Sequence, residues 1–569
     1  MSVFRPENPL IVQGDHSVLV EVDSPCYIEA RDRLSRFAEL IKSPEHIHTY
    51  RITPLSIWNA AAAGAETDEI LDTLEQFSKY EVPRNVVVEI RDRASRYGRL
   101  QLTRDAEHLV LTAADRPLAE EICRHKLVAP LLVERLSHTE FHVAAIHRGS
   151  LKQALLKAGF PVEDLAGYRE GEPLEIVLRE QTLSDAPFRL RTYQGEAADI
   201  FYAAGAARGG SGVIVLPCGA GKTIVGLACM AKLQTSTLIL TTNVTATRQW
   251  CGELLDKTRL HADQVGEYNG SRKDVLPVTV ATYNIMTWRE NKDAPFKHLE
   301  LFDQRDWGLI IYDEVHLLPA PVFQVTAGLQ ARRRLGLTAT LVREDNREDD
   351  VFALIGPKKV DVPWKVLEKQ GWIASASCTE IRLPLHESAR MTYAVADRRQ
   401  KFRLASENSD KLDVVRELLR RHPDEPTLVI GMYVEQLNEI AKQLDVPVIT
   451  GTTSQQKRDR LFEDFKSGRL RTLVVSKVAN FAVDLPDASV AIQISGTFGS
   501  RQEEAQRLGR ILRPKAGQNQ AHFYTIVSRD TVEQDFAHKR QLFLCEQGYA
   551  YDIVNREEIA KSASVRRPA

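Results

Sequence analysis

The sequence predicts an α/β fold in which two parallel-sheet lobes follow one another, preceded by a small, mostly α N-terminal region and a small α+β unit. The chain has 569 residues, which is room for roughly three or four domains. From about residue 186, apolar strand-like runs without polar alternation are separated by helix-like stretches, a pattern typical of parallel strands covered on both faces. The pattern then repeats, so two consecutive α/β lobes are the simplest interpretation.

The strand-like runs place these lobes along the chain. Runs of the first series are 213–217, 237–242, 278–283 and 309–314, and runs of the second are 427–431, 447–450, 471–476, 490–495 and 521–527. We therefore expect one lobe at residues 186–365 and the other at 366–552. Residues 553–569 carry lysine and arginine among small polar residues, and we expect a helix there that frays into a flexible tail.

Residues 1–118 are expected to form a winged-helix-like domain, because three helices are predicted before a short hairpin. Thr53-Pro54 is a typical helix start, and the apolar spacing of residues 70–77 gives the second helix one buried face. Docking of DNA or protein and a purely structural cap are equally supported, since the arginines of this region could form a solvated face. These arginines are Arg91, Arg93, Arg96 and Arg99.

Residues 119–185 are expected to form the small α+β domain. An apolar strand-like piece lies at 141–146, and a helix is predicted from 150 to 158, closed by Gly159. No residue pattern in this unit indicates chemistry.

Composition narrows the function only slightly. The formal charge of −2 gives no overall basic signal, so any contact with nucleic acid must come from local clusters of lysine and arginine. The seven cysteines are scattered without a C-x-x-C pair, which favours buried free thiols over a zinc site. No apolar run approaches the roughly 18 residues that cross a bilayer, and the start of the chain lacks a signal-peptide pattern. A cytoplasmic location without a membrane partner is therefore expected.

A phosphate-binding loop is predicted directly after the first strand of the first lobe. Nucleotide phosphates need backbone N–H groups at a helix N-terminus, a lysine for the outer phosphates and a hydroxyl for magnesium. Gly219 and Gly221 permit close backbone approach, Lys222 supplies the charge and Thr223 supplies a ligand for Mg²⁺. The usual first glycine is replaced by Leu216. The ATP-binding residues of the loop are Pro217, Cys218, Gly219, Ala220, Gly221, Lys222 and Thr223.

Two acids that follow a later strand are predicted to complete the catalytic chemistry. Asp313, at the carboxyl edge of a neighbouring strand, can hold Mg²⁺, and Glu314 can orient or deprotonate the attacking water. His316 could join hydrogen bonding between the lobes or simply fill space. Upstream, the amide of Gln194 suits the edge of adenine, and Arg191 could add positive charge.

A helix-like segment of the second lobe carries Gln506, Arg510 and Arg513. Their spacing puts them on one helix face, so all three can enter a single cleft. The two arginines could neutralise the charge that spreads over a transferred phosphoryl group. We therefore expect one ATPase site divided between the two lobes, whose closing and opening is the working cycle of a motor.

Several motifs resemble those of helicase superfamily 2 and, within it, the bacterial XPB-type DNA helicases. Leu337-Thr338-Ala339-Thr340 is similar to the superfamily's coupling motif, and Arg343-Glu344-Asp345 is similar to a triplet that marks the XPB family. Residues 476–486 and 506–515 of the second lobe match as well. The resemblance covers about 186–545, and the N-terminal units also resemble those of bacterial members, with a damage-recognition-type domain at 119–185.

The resemblance implies two RecA-like lobes and an ATP- and Mg²⁺-dependent 3'-to-5' DNA helicase or translocase in DNA repair or DNA processing. It implies a coupling role for His316, Thr338, Thr340 and Asp484. It implies a strand-opening role for Arg343, Glu344 and Asp345. One departure is the long helical thumb of archaeal and eukaryotic relatives, whose place is filled here only by residues 386–410.

Contacts to DNA are expected from backbone and hydroxyl groups that follow strands, because a motor must hold phosphates without reading sequence. The candidates are Thr241, Thr242, Gln249, Thr282, Thr450, Thr452, Thr453, Ser476 and Lys477. The run Arg332-Arg333-Arg334 is interpreted instead as a solvated face.

Three functions stay open at this point. The first is a monomeric DNA motor on single-stranded, forked or duplex DNA, nucleoid-associated when bound, with a nuclease or repair protein as partner. The second is a nucleotide-gated translocase or scaffold that distorts duplex DNA or recruits a nuclease without processive unwinding. The third is an RNA helicase, which the Arg343-Glu344-Asp345 triplet and the absence of a D-E-A-D motif disfavour.

Overall fold

The computed structural model describes most of the chain. The described residues are 4–42, 46–105, 108–205, 209–217, 219–291, 294–329, 332–339, 348–362, 364–476, 488–496, 520–546, 549 and 551–558. The chain divides into two compact units, the first comprising 1–41, 47–216 and 221–361, and the second comprising 42–46, 217–220 and 362–569. Each unit is described by itself.

The chain begins with a four-stranded sheet that the sequence analysis did not predict. Its strands are β1 (Leu10–Val12), β2 (Ser17–Glu21), β3 (Glu39–Lys42) and β4 (Ile47–Arg51), in the order β1-β2-β4-β3. The helices of this region are α1 (Tyr27–Leu34), α2 (Pro54–Ala62), α3 (Thr67–Phe77) and α4 (Arg84–Arg96). Thr53 caps α2 as predicted, because its hydroxyl accepts the backbone N–H of Ser56 at 3.0 Å. The winged-helix likeness stays a prediction.

A five-stranded sheet follows, with order β7-β8-β6-β5-β9. Its strands are β5 (Leu100–Asp105), β6 (His108–Ala113), β7 (Leu132–Arg135), β8 (Glu140–Val143) and β9 (Val162–Asp164), and its helices are α5 (Arg116–Arg124) and α6 (Arg148–Lys157). The hairpin of β5 and β6 was expected, but it pairs with β8 and β9 on either side. The boundary placed between residues 118 and 119 therefore divides a single sheet and is wrong there.

The small α+β region packs tightly on the first lobe. A methyl group at Gly149 of α6 would come within 2.4 Å of the Ala327 carbonyl oxygen, and one at Gly171 within 2.2 Å of the Gly308 nitrogen. These glycines are required because the backbones approach too closely for any side chain. The four arginines named earlier pair with carboxylates, which supports the solvated-face interpretation over a DNA surface. The pairs are Arg91–Asp68, Arg93–Glu89, Arg96–Asp92 and Arg99–Asp115.

The first lobe is a seven-stranded, wholly parallel sheet with order β12-β13-β11-β14-β15-β10-β16. Its strands are β10 (Ser211–Val215), β11 (Thr237–Thr241), β12 (Val265–Tyr268), β13 (Val278–Thr282), β14 (Leu309–Asp313), β15 (Arg333–Thr338) and β16 (Lys358–Asp361). Its helices are α7 (Thr192–Tyr202), α8 (Lys222–Leu233), α9 (Val244–Lys257), α10 (Tyr283–Met286), α11 (Ala320–Gly328) and α12 (Glu348–Leu354). The predicted parallel sheet is confirmed, and its central strands are buried throughout.

The second lobe repeats this design, with seven parallel strands in the order β19-β20-β18-β21-β22-β17-β23. The strands are β17 (Ser375–Leu383), β18 (Thr427–Gly431), β19 (Val448–Ile449), β20 (Thr472–Ser476), β21 (Val490–Gln493), β22 (Gln520–Ser528) and β23 (Tyr551–Asn555). The helices are α13 (Trp364–Lys369), α14 (Glu387–Val395), α15 (Arg398–Ser406), α16 (Lys411–Arg421), α17 (Val434–Leu444), α18 (Gln455–Lys466) and α19 (Val532–Glu546). In place of a long thumb stand only α14 and α15, of nine residues each.

Two expectations about local structure were wrong. The tail does not begin at residue 553, because β23 runs through that position and pairs along its whole length with β17. Arg334 is not part of a solvated face, because its side chain is completely buried in β15. The expectation of free thiols is confirmed for the six cysteines of the described ranges, three of which are buried. In the described part of the chain, no helix combines the length and apolar content needed to span a bilayer.

Candidate functional site

The phosphate loop lies between a buried strand and a helix, as the sequence predicted. Strand β10 ends at Val215, and the backbone N–H of Leu216 still bonds to the Thr338 carbonyl of β15 at 3.0 Å. Gly219 and Gly221 have φ values of +82° and +81°, which favour glycine, and helix α8 starts at Lys222. Helix α8 directs its N-terminus at the loop, and the positive end of the helix dipole favours an anion there.

Gln194 lies against the phosphate loop, although it is 27 positions away in sequence from Gly221. A Cβ atom at Gly221 would come within 2.6 Å of the Gln194 amide nitrogen, which is a second reason for glycine at this position. The Gln194 side-chain oxygen accepts the Arg191 backbone N–H at 3.0 Å, and the Arg191 guanidinium donates to the Tyr193 hydroxyl at 3.1 Å. The structure thus brings the predicted adenine-contacting residues next to the loop.

The two acids stand at the carboxyl end of β14, which is separated from β10 by β15 alone. Asp313 is held by two donors, the indole N–H of Trp250 at 3.0 Å and the backbone N–H of Glu314 at 3.1 Å. Glu314 has a left-handed φ of +50°, a strained conformation for a residue with a side chain. The chain therefore turns sharply here, and the two carboxylates are directed separately.

Lys222 and Glu314 form an ion pair at 3.3 Å across the sheet edge, with both side chains largely buried. Burial, and next the negative charge of Glu314, raise the pKa of Asp313 to about 6. Burial also acts to raise the pKa of Glu314, but Lys222 and then His316 outweigh it, so that the pKa of Glu314 is lowered. The phosphate-loop lysine and the predicted general base are therefore in direct contact.

His316 is buried, and its Nδ1 lies 2.6 Å from the Thr338 hydroxyl and 3.6 Å from a Glu314 oxygen. Thr338 is the last residue of β15, directly before the segment that holds the proposed coupling and strand-opening residues. His316 thus lies between Glu314 and the end of this strand, with a hydrogen bond to Thr338 and a longer approach to Glu314. This bond lies within the first lobe, so the hydrogen bonding between lobes expected of His316 stays a prediction.

The structure places the proposed DNA-contacting residues of the first lobe in two classes. The hydroxyl of Thr241 is fully buried and lies 2.9 Å from the Thr247 hydroxyl, and the hydroxyl of Thr282 caps α10. Both hydroxyls therefore hold the local fold, so any contact these residues make would come from the backbone. Thr242 is half-buried and Gln249 is exposed on α9, where a DNA strand could reach them.

In the second lobe, Thr450, Thr452 and Thr453 form one tight turn. The Thr450 and Thr452 hydroxyls are 3.0 Å apart, and the Thr453 hydroxyl accepts the Thr450 backbone N–H at 2.9 Å. Ser476 is buried at the carboxyl end of β20. The remaining predicted residues lie outside the described part of the chain: Cys218, Thr340, Arg343, Glu344, Asp345, Lys477, Asp484, Gln506, Arg510 and Arg513.

Sequence reasoning missed Trp250, the side chain that orients Asp313. Thr247, Trp250 and Leu254 form the buried face of α9, so the periodicity of this helix signals that Trp250 is buried. Its partners are not visible in that pattern. The ring packs so closely on α8 that a Cβ atom at Gly226 would come within 2.5 Å of it. This glycine gives the indole room to reach Asp313.

The donor set at this edge fits a magnesium ion together with nucleotide phosphates. Mg²⁺ prefers oxygen ligands and commonly takes one or two carboxylates and a hydroxyl beside the substrate phosphates. Asp313 offers an oriented carboxylate, and Thr223 offers a hydroxyl in the first turn of α8. The positive-φ glycines leave the loop backbone open to the phosphates.

A parallel sheet with a phosphate loop and a lysine–acid pair, followed along the chain by a second parallel sheet, defines a nucleotide-driven motor of the superfamily 2 type. Family models agree with this class. Residues 367–566 match the ERCC3/RAD25/XPB C-terminal helicase, 187–343 match the type III restriction enzyme, res subunit, and 10–137 match a helicase conserved C-terminal domain.

Individual relatives define the family more narrowly. The chain is 55% identical to a DNA 3'-5' helicase XPB of Kineococcus radiotolerans, over 97% of both chains. It is 53% identical to the protein of the same name from Mycobacterium tuberculosis, over 97% of this chain and 99% of that one. It is 34% identical, over its whole length and 84% of the other, to the general transcription and DNA repair factor IIH helicase/translocase subunit XPB of Antonospora locustae. The chain belongs to the XPB family of helicases.

Proposed function

We propose that this protein is an ATP-dependent 3'-to-5' DNA helicase, and that its ATP hydrolysis cycle starts at the contact between Lys222 and Glu314. The 3.3 Å ion pair is the observation that carries the proposal, because it brings the phosphate-binding lysine together with the water-activating acid. DNA as substrate and the 3'-to-5' polarity are supported by the names of the bacterial relatives.

The charges at the site give the order of events. Before nucleotide binds, Lys222 neutralises Glu314 and keeps the pKa of that carboxyl low. The phosphates of ATP compete for Lys222, and once the lysine turns to them the burial of Glu314 raises its pKa. Glu314 is then a stronger base toward the attacking water. Magnesium, held by Thr223 and Asp313 when it is bound, neutralises charge on the phosphates.

Residues from both lobes are proposed to couple ATP hydrolysis to strand opening. The contact of His316 with Thr338 passes the state of the acidic pair to the end of β15. Coupling would continue through Thr340 and Asp484. Gln506, Arg510 and Arg513 are proposed to complete the ATP site from the second lobe, where two arginines would stabilise the transition state. The Arg343-Glu344-Asp345 triplet is proposed to open the strands.

The setting we propose is DNA repair of the nucleotide-excision type, since one relative is named as a subunit of a DNA repair factor. The protein would act as a monomer in the cytoplasm, bound to the nucleoid when on DNA, with a nuclease or another repair protein as partner. Thr242, Gln249 and the turn at 450–453 are the proposed contacts to the DNA backbone, together with Lys477 and the backbone at 241, 282 and 476.

The test compares ATP turnover with single-stranded DNA, duplex DNA and RNA, and then measures displacement of a labelled strand from a duplex with a 3' tail. We expect stimulation by DNA and displacement from the 3' tail but not from a 5' tail. Lys222→Ala should leave less than about a tenth of the turnover, since it removes a transition-state contact. Lys232→Ala is the matched control, because Lys232 lies on the same helix and pairs with Asp199 at the surface. Stimulation by RNA alone would exclude the DNA helicase.

A duplex translocase that does not unwind is the second candidate, and the short α14 and α15 favour it. Nine-residue helices provide little surface for gripping a separated strand in the place where relatives carry a thumb. In that case duplex DNA would stimulate ATP turnover fully while no labelled strand is released. Displacement of a triplex-forming strand from the duplex would then show translocation directly.

A further inference from the structure

Three side chains from two distant parts of the sequence meet at the amino edge of the second sheet. His422 ends α16, Glu425 lies in the turn before β18, and His522 is the third residue of β22. One ligand atom from each of them lies within 4.8 Å of the other two. The cluster lies where β18 begins, whereas Ser476 lies at the opposite, carboxyl edge, where β20 ends. It is therefore separate from the nucleotide chemistry.

Each imidazole is already held through one of its ring nitrogens. His422 Nε2 lies 2.9 Å from the Tyr524 hydroxyl, and His522 Nδ1 lies 2.8 Å from the Ser377 hydroxyl. The sheet enforces this arrangement, because Ser377 is directly opposite His522 in the β17–β22 register and Tyr524 lies two residues along the same strand face. Histidines that bind metal usually have the second nitrogen fixed in this way.

The first nitrogen of His422 faces the carboxylate. His422 Nδ1 is 2.7 Å from a Glu425 oxygen, and the His422 and His522 rings are tilted against one another with centroids 4.8 Å apart. The His422 side chain is only 9% exposed, whereas Glu425 is 38% exposed. A metal ion here would have protein ligands on the inner side and water on the outer side.

Nearby charge is nearly balanced at this site. Arg421 is the adjacent cation, and its guanidinium Nε lies 3.5 Å from Glu417. One carboxylate and two neutral imidazoles are the ligands that Zn²⁺ and similar borderline metals accept.

We propose that His422, Glu425 and His522 form a binding site for a divalent transition metal of the zinc class, with water completing the coordination. The metal would occupy His422 Nδ1, and the single proton of the neutral imidazole would be carried on Nε2, where it donates to the Tyr524 hydroxyl. The site would fasten the turn between α16 and β18 to β22.

The experiment uses the full chain, freed of metal with a chelator, in millimolar Mg²⁺ so that carboxylate sites are occupied. Zn²⁺ is titrated by calorimetry, and Co²⁺ is added as a spectroscopic probe. We expect one Zn²⁺ with a Kd of about 1 µM or tighter, as suits three protein ligands. Bound Co²⁺ should show the strong visible absorption of four-coordinate cobalt.

Four variants decide whether this cluster is the site. His422→Gln and His522→Gln should each weaken Zn²⁺ binding at least about tenfold, and so should Tyr524→Phe, which removes only the partner of His422. His538→Gln is the matched control, since His538 is exposed on α19 of the same lobe. Thermal unfolding without metal establishes that each variant is folded. Zn²⁺ should raise the Tm of the wild type by roughly 5 °C and leave that of the glutamine variants unchanged.

Two results would overturn the proposal. One is the absence of saturable Zn²⁺ binding in the folded wild type. The other is binding that the glutamine variants and Tyr524→Phe retain at full strength, which would assign the metal to another part of the chain, such as its thiols.

Discussion

At the scale of single residues, the pKa values of two neighbouring carboxyls are shifted in opposite directions. Asp313 is buried beside a negative charge and has a raised pKa, whereas Glu314 pairs with Lys222 and has a lowered pKa. The left-handed backbone at Glu314 separates their directions. Trp250 donates to Asp313 and stabilises its charged form. The two interacting carboxyls therefore ionise at different pH, Glu314 before Asp313.

Trp250→Phe should move the acidic limb of the pH profile of kcat/KM upward. Asp313 must be ionised to hold Mg²⁺, so kcat/KM, which reports the free enzyme, should fall as pH drops through about 6. The indole N–H lowers the pKa of Asp313, so its removal raises that pKa and shifts the limb to higher pH by about one unit. The measurement is DNA-stimulated ATP turnover between pH 5 and 9, at subsaturating ATP.

Trp288→Phe is the control, because Trp288 is nearly half exposed in the same lobe. Its acidic limb should match that of the wild type. If the Trp250 variant lost activity equally at every pH, the indole would only support the packing of α8 and α9. The limb would then have to be assigned to another group.

At the scale of elements, β15 is the strand that connects the small α+β region to the first lobe. Its buried Arg334 donates to the Leu354 carbonyl at 2.6 Å and to the Ser211 hydroxyl at 3.3 Å, and it lies over the Tyr168 ring at 5.6 Å. Arg148 and Lys152 of α6 converge on Asp164 beside this ring. Burial acts to raise the pKa of Asp164, but the two cations outweigh it and hold the pKa far below its usual value.

Arg334→Met should lower the free energy of unfolding of the first unit by about 3 kcal/mol, because two buried acceptors lose a charged donor. Arg333→Met is the matched control. Arg333 is the neighbouring residue on the other face of β15, where it is half-buried and donates to the Arg169 carbonyl at 3.3 Å. Urea unfolding followed by tryptophan fluorescence measures both variants. Equal effects at the two positions would show that Arg334 contributes no more than a surface arginine.

The same strand shows where sequence reasoning succeeded and where it failed. Strands β10, β11, β13 and β14 were predicted within one or two residues, because continuous apolar runs identify buried parallel strands without any tertiary knowledge. Strand β15 was missed, since Arg333-Arg334 has the pattern of a surface. Contacts that the sequence does not reveal, among them those with Ser211, Leu354 and Tyr168, make burial of a guanidinium acceptable. Strand β23 was also missed. Its apolar and polar residues alternate instead of forming a continuous apolar run, and it is stabilised by pairing with β17, which the sequence does not show.

Some residues of the candidate site were also predicted from the sequence, and others were missed. Lys222, Asp313 and Glu314 were found from motifs, because their chemistry requires fixed residue types at fixed offsets from a strand. Trp250 and the His422 cluster were not found, because their partners are distant in sequence. His422 and Glu425 are near neighbours in sequence, but His522 is about a hundred residues away, so spacing gives no signal and the strand register brings His522 to the other two.

At the scale of the whole molecule, the residues proposed for ATP hydrolysis differ from those proposed for strand separation. His316, next to the acidic pair, is hydrogen-bonded to Thr338. The predicted strand-opening triplet begins five residues later, at Arg343. A hydrolysis site and an opening element so close along one chain can be coupled by a small displacement of the connecting segment. Such coupling predicts that the two activities are separable by mutation.

Arg343→Ala should therefore reduce strand displacement about tenfold, the cost of losing one charged contact to DNA, while DNA-stimulated ATP turnover changes less than about twofold. Displacement of a labelled strand from a 3'-tailed duplex and phosphate release are measured in one reaction, so that the number of ATP molecules used per strand is obtained directly. Arg332→Ala is the control, because Arg332 precedes β15 and pairs with Asp306 at 2.8 Å, so both activities should be retained. An equal fall in displacement and turnover would assign Arg343 to ATP hydrolysis and remove its role in strand opening.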